Sequence, residues 1–277
     1  MRFSVCSWTF GNTPLDKVFE LVSSAGYTSV DLTAVVDSCD WTEAARLAER
    51  FSLEISGLTC DSGWPAEDHD LANKNALNRE KAVDYFKRQI ECVKVVGGDY
   101  LIVVPSAVGK FRAMGVDTTE DWKWAVESVC NLTETAANNQ VTLVIEPLNR
   151  YESCIVNTAE DASRFVKEVD HPNVRALLDT YHMNIEESDI EKAFLTVRDS
   201  LEVVHFADSN RRALGRGHID FRPVVSGMKA IGFDRTIVLE CTVPGPDPFR
   251  ADKGDTTAQT MTTYAGESLA KLKEWFA

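Results

Sequence analysis

Residues 177–187 read LLDTYHMNIEE. An apolar run ends directly in Asp179, and His182 follows three positions later. Burying a lone carboxylate is costly unless it is paired, hydrogen-bonded or bound to a cation. Taken alone, Asp179 has an ordinary explanation. Asp-Thr before a helical run is an N-terminal helix signal, and a structural salt bridge would serve as well. What decides between these readings and a functional one is whether the pattern recurs.

It recurs three times. Residues 141–150, VTLVIEPLNR, deliver Glu146 at the end of a β-branched run. Residues 201–210, LEVVHFADSN, deliver His205, and residues 235–245, RTIVLECTVPG, deliver Glu240. Four successive strand-like segments thus each place one metal-compatible side chain near the carboxyl end. Two Glu, one Asp and one His form a hard, oxygen-rich set with one imidazole. Such a set predicts one divalent ion, Mn²⁺ first, with Mg²⁺ or Co²⁺ as alternatives, and not a thiolate-favouring metal.

Working outward, strand-like and amphipathic helical segments alternate along the whole chain. Strands are predicted over Phe3–Ser7, Ser29–Leu32, Leu53–Leu58, Tyr100–Val104, Thr142–Ile145, Val174–Leu178, Val203–Phe206 and Thr236–Leu239. Helices are predicted over Leu15–Ala25, Trp41–Phe51, Asn73–Val96, Thr119–Asn138, Ala159–Val169, Asp189–Asp199, Phe221–Ile231 and Thr256–Trp275. Eight βα units of this length predict an α/β fold, a closed (β/α)₈ TIM barrel, with residues 1–277 as a single domain. Neither a GxGxxG after the first strand nor a Walker A sequence is present, which argues against Rossmann and P-loop folds. The longer connections, including "WPAEDHD", "GKFRAMGVD" and "VPGPDPFRADKGD", all follow strands, where a barrel builds its active site. They are expected to form rims or lids.

Composition narrows the function. The 277 residues carry a formal charge of −14. A net-acidic chain lacks the footprint of a non-specific nucleic-acid binder. Apolar runs are strand-sized, short of the ~20 residues that span a bilayer, so no membrane role is expected. The start shows no long apolar segment of a signal peptide. Seven scattered cysteines without a CxxC are expected to be reduced thiols in a cytoplasm.

An ion at Glu146, Asp179, His205 and Glu240 would leave positions for two adjacent substrate oxygens, such as C2=O and C3–OH of a ketose. Its charge would stabilise the enediolate left by loss of the neighbouring C–H proton. Glu146 and Glu240, on strands five and eight, flank the other two ligands. They are the expected catalytic pair, one on each face of a planar enediolate. His182, three residues past a ligand, is expected to contact substrate. Glu152 and Arg211 are weaker cases of the same kind, each a solvated charge if taken alone. Cys60, after strand three, could line the pocket or merely pack. His69 and His171 have no supporting pattern and are read as surface residues.

The stretches VIEPLNRYES, LLDTYHMNIEE, VVHFADSNR, GRGHIDF and TIVLE together resemble the sugar phosphate isomerase/epimerase superfamily with the xylose isomerase-like TIM barrel. Within it, LDTYHMNIEE is most similar to the D-tagatose 3-epimerase and D-psicose (allulose) 3-epimerase branch. The resemblance implies that Glu146, Asp179, His205 and Glu240 bind the metal and that Glu146 and Glu240 exchange the C3 proton. It implies that Glu152, His182 and Arg211 hold the O1–O3 end of a ketose. It further implies a homodimer or homotetramer. Two segments depart from the branch: VPSAVGKFRAMG after strand four lacks an aromatic-rich stretch, and ECTVPGPDPF after strand eight differs. Both would shape the pocket at the far end of the sugar.

Three rivals are weighed. The first is an aldose–ketose isomerase of the hydroxypyruvate isomerase kind, or a sugar-phosphate 3-epimerase, for which Lys110, Arg112, Arg212 and Arg216 could hold a phosphate. The second is an AP endonuclease, which would need extra His on the second and third connections and an Asp-x-His pair after strand seven; neither is present. The third is a non-catalytic sugar-binding barrel, which would not need two proton-transfer carboxylates.

Overall fold

The computed structural model describes residues 1–63, 66–110, 117–245, 252–254 and 256–277. Arg112 and parts of the three connections expected to form rims or lids, residues 64–65, 111–116, 246–251 and 255, lie outside the described residues. Eight parallel strands close into a barrel in sequence order. They are β1 (Arg2–Cys6), β2 (Ser29–Thr33), β3 (Glu54–Thr59), β4 (Tyr100–Val103), β5 (Thr142–Ile145), β6 (Val174–Asp179), β7 (Leu201–Phe206) and β8 (Thr236–Leu239). The ring is shut by β1 against β8, in the register Arg2↔Thr236 to Val5↔Leu239. Arg2 reinforces the seam through Nη2, 2.9 Å from Thr236 Oγ1 and 2.7 Å from Asp99 Oδ2.

The helices form where the pattern and the caps agree. Trp41–Arg50 starts at Asp40, whose side chain accepts from Glu43 N. Ala159–Val169 starts with a capping box in which Thr158 and Asp161 satisfy one another's backbone N–H. Ala76–Val96 stops at Gly97, which takes the left-handed φ of 72° that glycine adopts without strain. Each amphipathic helix buries its apolar face in the shell between helices and barrel.

Side chains alternate across a strand, so residues two apart share a face. Val144, Leu177, Val203 and Val238 join Cys6, Tyr100 and Ile102 in an interior cluster separate from that shell. Each of the four lies two residues before Glu146, Asp179, His205 and Glu240. The four polar residues therefore face the barrel axis as well, one layer higher, at the carboxyl end.

The structure adds short 3-10 helices at Ser7–Phe10 and Glu67–His69 and one α-helix that the sequence reading did not place. Thr180–Glu186 is a helix that follows β6 without a gap. Asp179 caps it: Oδ1 accepts from Tyr181 N at 2.6 Å and from His182 N at 3.3 Å.

Candidate active site

Asp179 uses its two oxygens differently. Oδ1 is spent on the helix cap, whereas Oδ2 is buried with no hydrogen-bond partner. Oδ2 points into a group formed by Glu146, Asp179, His205 and Glu240, whose potential ligand atoms all lie within 4.8 Å of one another. His205 Nδ1 is 3.5 Å from Glu146 Oε1, 3.5 Å from Glu240 Oε2 and 3.8 Å from Asp179 Oδ2. Exposure is 4% for each Glu, 1% for Asp179 and 0% for His205, so water does not hydrate these charges. Neither His205 ring nitrogen makes a well-formed hydrogen bond. Three buried carboxylates around an unsatisfied imidazole fit a divalent cation: the donors are hard and convergent, and Asp179 Oδ2 and both His205 nitrogens have no other partner.

The charges are uneven. Burial pushes the Glu146 carboxyl well above its usual range, with Glu240 and Asp179 adding to the effect and His205 opposing it. Burial, helped by Glu240, raises Asp179 to about 7. Against the downward push of burial, Glu240 and Glu146 raise His205 to about 10. Glu240 goes the other way. Arg211 and then His205 outweigh its burial and hold it well below the usual carboxylate range.

Two donors grip Glu240. Arg211 Nη2 donates to Oε2 at 2.6 Å, and the indole Nε1 of Trp8 donates to Oε1 at 3.0 Å. Arg211 reaches this position from a left-handed backbone, φ 57°. Its loop is wound about Asp208, whose carboxylate accepts from Ser209 N and Gly215 N at 2.7 Å each and from Ile219 N at 3.1 Å. Arg211 Nη1 lies 3.7 Å from Glu152 Oε2, and the guanidinium stands 4.7 Å over the Tyr181 ring.

His182 is 2% exposed. The backbone N–H of Asn149 donates to its Nδ1 at 3.0 Å, so Nδ1 is an acceptor and the ring proton sits on Nε2. Nε2 is buried and without a partner. Burial, then Arg211, holds His182 well below its ordinary value, so it is a neutral N–H donor. Asn149 Nδ2 lies 2.8 Å from both Glu152 Oε1 and His182 Nδ1, tying the two together.

Glu146, Glu152, His182, Arg211 and Glu240 open on one cavity of about 520 Å³, lined also by Trp8, Thr33, Cys60, Asp61 and Tyr151. Cys60 lines it as a protonated thiol, pushed up to about 12 by burial. The structure thus brings Glu146, Asp179, His205, Glu240, Glu152, His182, Arg211 and Cys60 to one place. Trp8, Asn149 and Asp61 were not anticipated. A signal existed for two of them, since Trp8 and Asp61 each lie two residues past a strand, where the other site residues also sit. His69 corrects the reading of a plain surface residue: it is half-buried, stacks on Tyr85 at 3.8 Å and lies 3.7 Å from Asp61 Oδ2. Of the cations considered for a phosphate, Lys110 is taken by Asp70 at 2.6 Å, and Arg216 forms two 2.7 Å bonds to Glu267.

The family model described as Xylose isomerase-like TIM barrel matches residues 19–273. The chain belongs to that family. Among Xylose isomerase-like TIM barrel proteins it is 34% identical over 191 residues to a D-psicose 3-epimerase of Ruminiclostridium cellulolyticum. That match covers 67% of this chain and spans 64% of the relative's length. It is 33% identical over 253 residues to a 3-dehydro-D-guloside 4-epimerase of Escherichia coli, covering 87% of this chain and 92% of the relative. The crystal structure of D-psicose 3-epimerase with D-tagatose from Clostridium cellulolyticum H10 superposes with a TM-score of 0.88, covering 99% of both chains at 23% identity. The fold is therefore shared along its full length.

Proposed function

We propose that the protein is a metal-dependent ketose 3-epimerase. The observation that carries this reading is the buried group Glu146, Asp179, His205 and Glu240, with Asp179 Oδ2 and both His205 nitrogens unsatisfied. The names of its relatives support the reaction class. When bound, a divalent ion (Mn²⁺ first, Mg²⁺ or Co²⁺ otherwise) supplies the charge that holds adjacent carbonyl and hydroxyl oxygens and makes the neighbouring C–H acidic.

The chain's own residues supply the rest. His182 Nε2–H and Arg211 donate to oxygens at the reacting end, and Glu152 accepts from a hydroxyl there. Glu146 and Glu240 stand on β5 and β8, either side of Asp179 and His205, so each addresses one face of the planar intermediate. Each would exchange a proton on its own face through the oxygen that faces the substrate. We take the protein to be cytoplasmic and to assemble as a homodimer or homotetramer, which light scattering checks.

A second reading rests on the Escherichia coli relative, matched over 92% of its length: epimerisation at C4 beside a C3 ketone. The same groups would serve. Incubating the Mn²⁺-loaded enzyme with candidate sugars in D₂O separates the cases. Deuterium at C3 of a 2-ketose supports the 3-epimerase. Deuterium at C4 of a 3-keto sugar moves the reaction one carbon along, and deuterium at C1 makes the protein an aldose–ketose isomerase. Exchange that survives exhaustive chelation overturns the metal-dependent reading.

A further inference from the structure

The cavity has two ends of different chemistry. In a closed ring of eight strands, β6 stands opposite β2 and β7 opposite β3. His182 and Arg211, which follow β6 and β7, therefore face a wall made by the ends of β2 and β3. Thr33, Cys60, Asp61 and Ser62 line the cavity there. Polar atoms on that wall lack partners. Thr33 Oγ1 is buried and makes no hydrogen bond. Asp61 is held from behind: Tyr85 OH donates to its Oδ2 at 2.8 Å. His69, stacked flat on Tyr85 with 7° between the rings, lies 3.7 Å from the same oxygen. Oδ1 takes no hydrogen bond from any described residue.

A carboxylate with one oxygen tied back and the other open on a cavity wall is an oriented acceptor, and its natural partner is a hydroxyl. We infer that Asp61 and Thr33 form a hydroxyl-recognising subsite for the end of the sugar remote from the reacting carbon. The subsite selects a free polyol terminus over a deoxygenated or phosphorylated one. The inference rests on the ketose epimerase reading and names the substrate class within it. A phosphate would meet the Asp61 carboxylate as a like charge, and Lys110, the nearest cation in sequence that was considered for a phosphate, is already taken by Asp70. A terminal methyl would leave Asp61 and Thr33 without the partner that a hydroxyl supplies.

The test uses the Mn²⁺-loaded full chain with a ketohexose, its 6-deoxy analogue and its 6-phosphate, read by kcat/KM and by calorimetric binding. The wild type should prefer the ketohexose over the 6-deoxy sugar by about tenfold or more. Asp61→Ala should lose about tenfold to a hundredfold with the ketohexose and little with the 6-deoxy sugar, so that the preference collapses. Asp61→Asn keeps an acceptor but removes the charge. It should retain the hydroxyl preference and admit the 6-phosphate better than the wild type does. Thr33→Val should show a smaller loss of the same kind. If no ketose binds or turns over, the epimerase reading fails and this inference with it. If ketoses turn over but Asp61→Ala keeps the wild-type preference, or if the wild type favours the 6-phosphate, the epimerase stands and the subsite does not.

Discussion

The two halves of the barrel solve the problem of buried polarity in opposite ways. In the β5–β8 half, an apolar layer of Val144, Leu177, Val203 and Val238 supports three carboxylates and an imidazole, among which Asp179 Oδ2 and both His205 nitrogens stay unsatisfied. In the β1–β4 half, the interior is itself polar but closed. Asp31 accepts from Thr59 Oγ1 at 2.6 Å and from Tyr100 OH at 2.9 Å, with Cys6 Sγ at 3.7 Å. Ser4, Ser29 and Ser56 bond to one another below it. Burial, relieved by those donors, raises Asp31 only to about 6. Both halves hide a carboxylate; the chain satisfies that of Asp31 and leaves Asp179 Oδ2 without a partner. What marks a functional site is the buried polar atom whose partner the chain does not provide.

That contrast is most exposed by exchanging a carboxylate in each half. Asp179→Ala removes a proposed ligand and the cap of the Thr180–Glu186 helix. Bound metal should vanish by elemental analysis and turnover should fall to background. Asp31→Asn should keep one metal per chain and lose thermal stability alone. If Asp31→Asn also empties the site, the two halves are one network and the distinction fails.

The next effect in size separates the two glutamates. Glu146→Gln and Glu240→Gln should each lose about 10²–10⁴ in epimerisation, the usual contribution of a positioned acid or base. Their residual exchange should differ: one epimer's C3 hydrogen should still wash into D₂O in one variant, and the other epimer's in the other. NMR reads this, with bound metal measured alongside. One variant epimerising at near wild-type rate while holding metal would sink the two-base assignment.

Smaller losses should follow at the donors. Arg211→Ala and His182→Ala should lower kcat/KM by about tenfold to a hundredfold with metal content intact. Arg211→Ala should be the worse of the two, since it also releases Glu240. Unchanged kinetics would return both residues to ordinary packing.

The mildest expectation concerns pH. In the metal-free protein His205 is raised to about 10 and Asp179 to about 7, so both hold protons that an ion must displace. Affinity for Mn²⁺ should therefore rise with pH through that range and fall on acidification. Calorimetry in two buffers of different ionisation enthalpy should show net proton release on Mn²⁺ binding near pH 8. No release would mean that the site is already deprotonated before the metal arrives.

The sequence disclosed the β5–β8 half more fully than the other. Thr142–Ile145 and Thr236–Leu239 form with the bounds the pattern predicts, because β-branched runs end abruptly at a charged residue. The Thr180–Glu186 helix escaped notice because it is short and its capping residue doubled as a site residue. The apparent choice between cap and function was false, since a carboxylate has two oxygens. Trp8, Thr33 and Asp61 escaped for another reason. Tryptophan, threonine and a loop aspartate carry no metal signature, so a place at or just past a strand end was too weak a signal to single them out. The ring, by setting β3 opposite β7, gives Asp61 its place in the site.

The seam between β1 and β8 has a consequence for synthesis. Arg2 and Thr236 are 234 residues apart, and the ribosome needs on the order of ten to fifty seconds to bridge that interval. Throughout it β1 presents an unpaired edge to the cell, the kind of edge that recruits wrong strands. Glu240, the last member of the proposed metal set, directly follows the strand that covers this edge. A nascent chain would therefore complete that proposed set only at the moment it becomes able to shut. A fragment ending before Thr236 would lack the closing strand and Glu240 together, so on the proposed function incomplete products would be both open-edged and inactive.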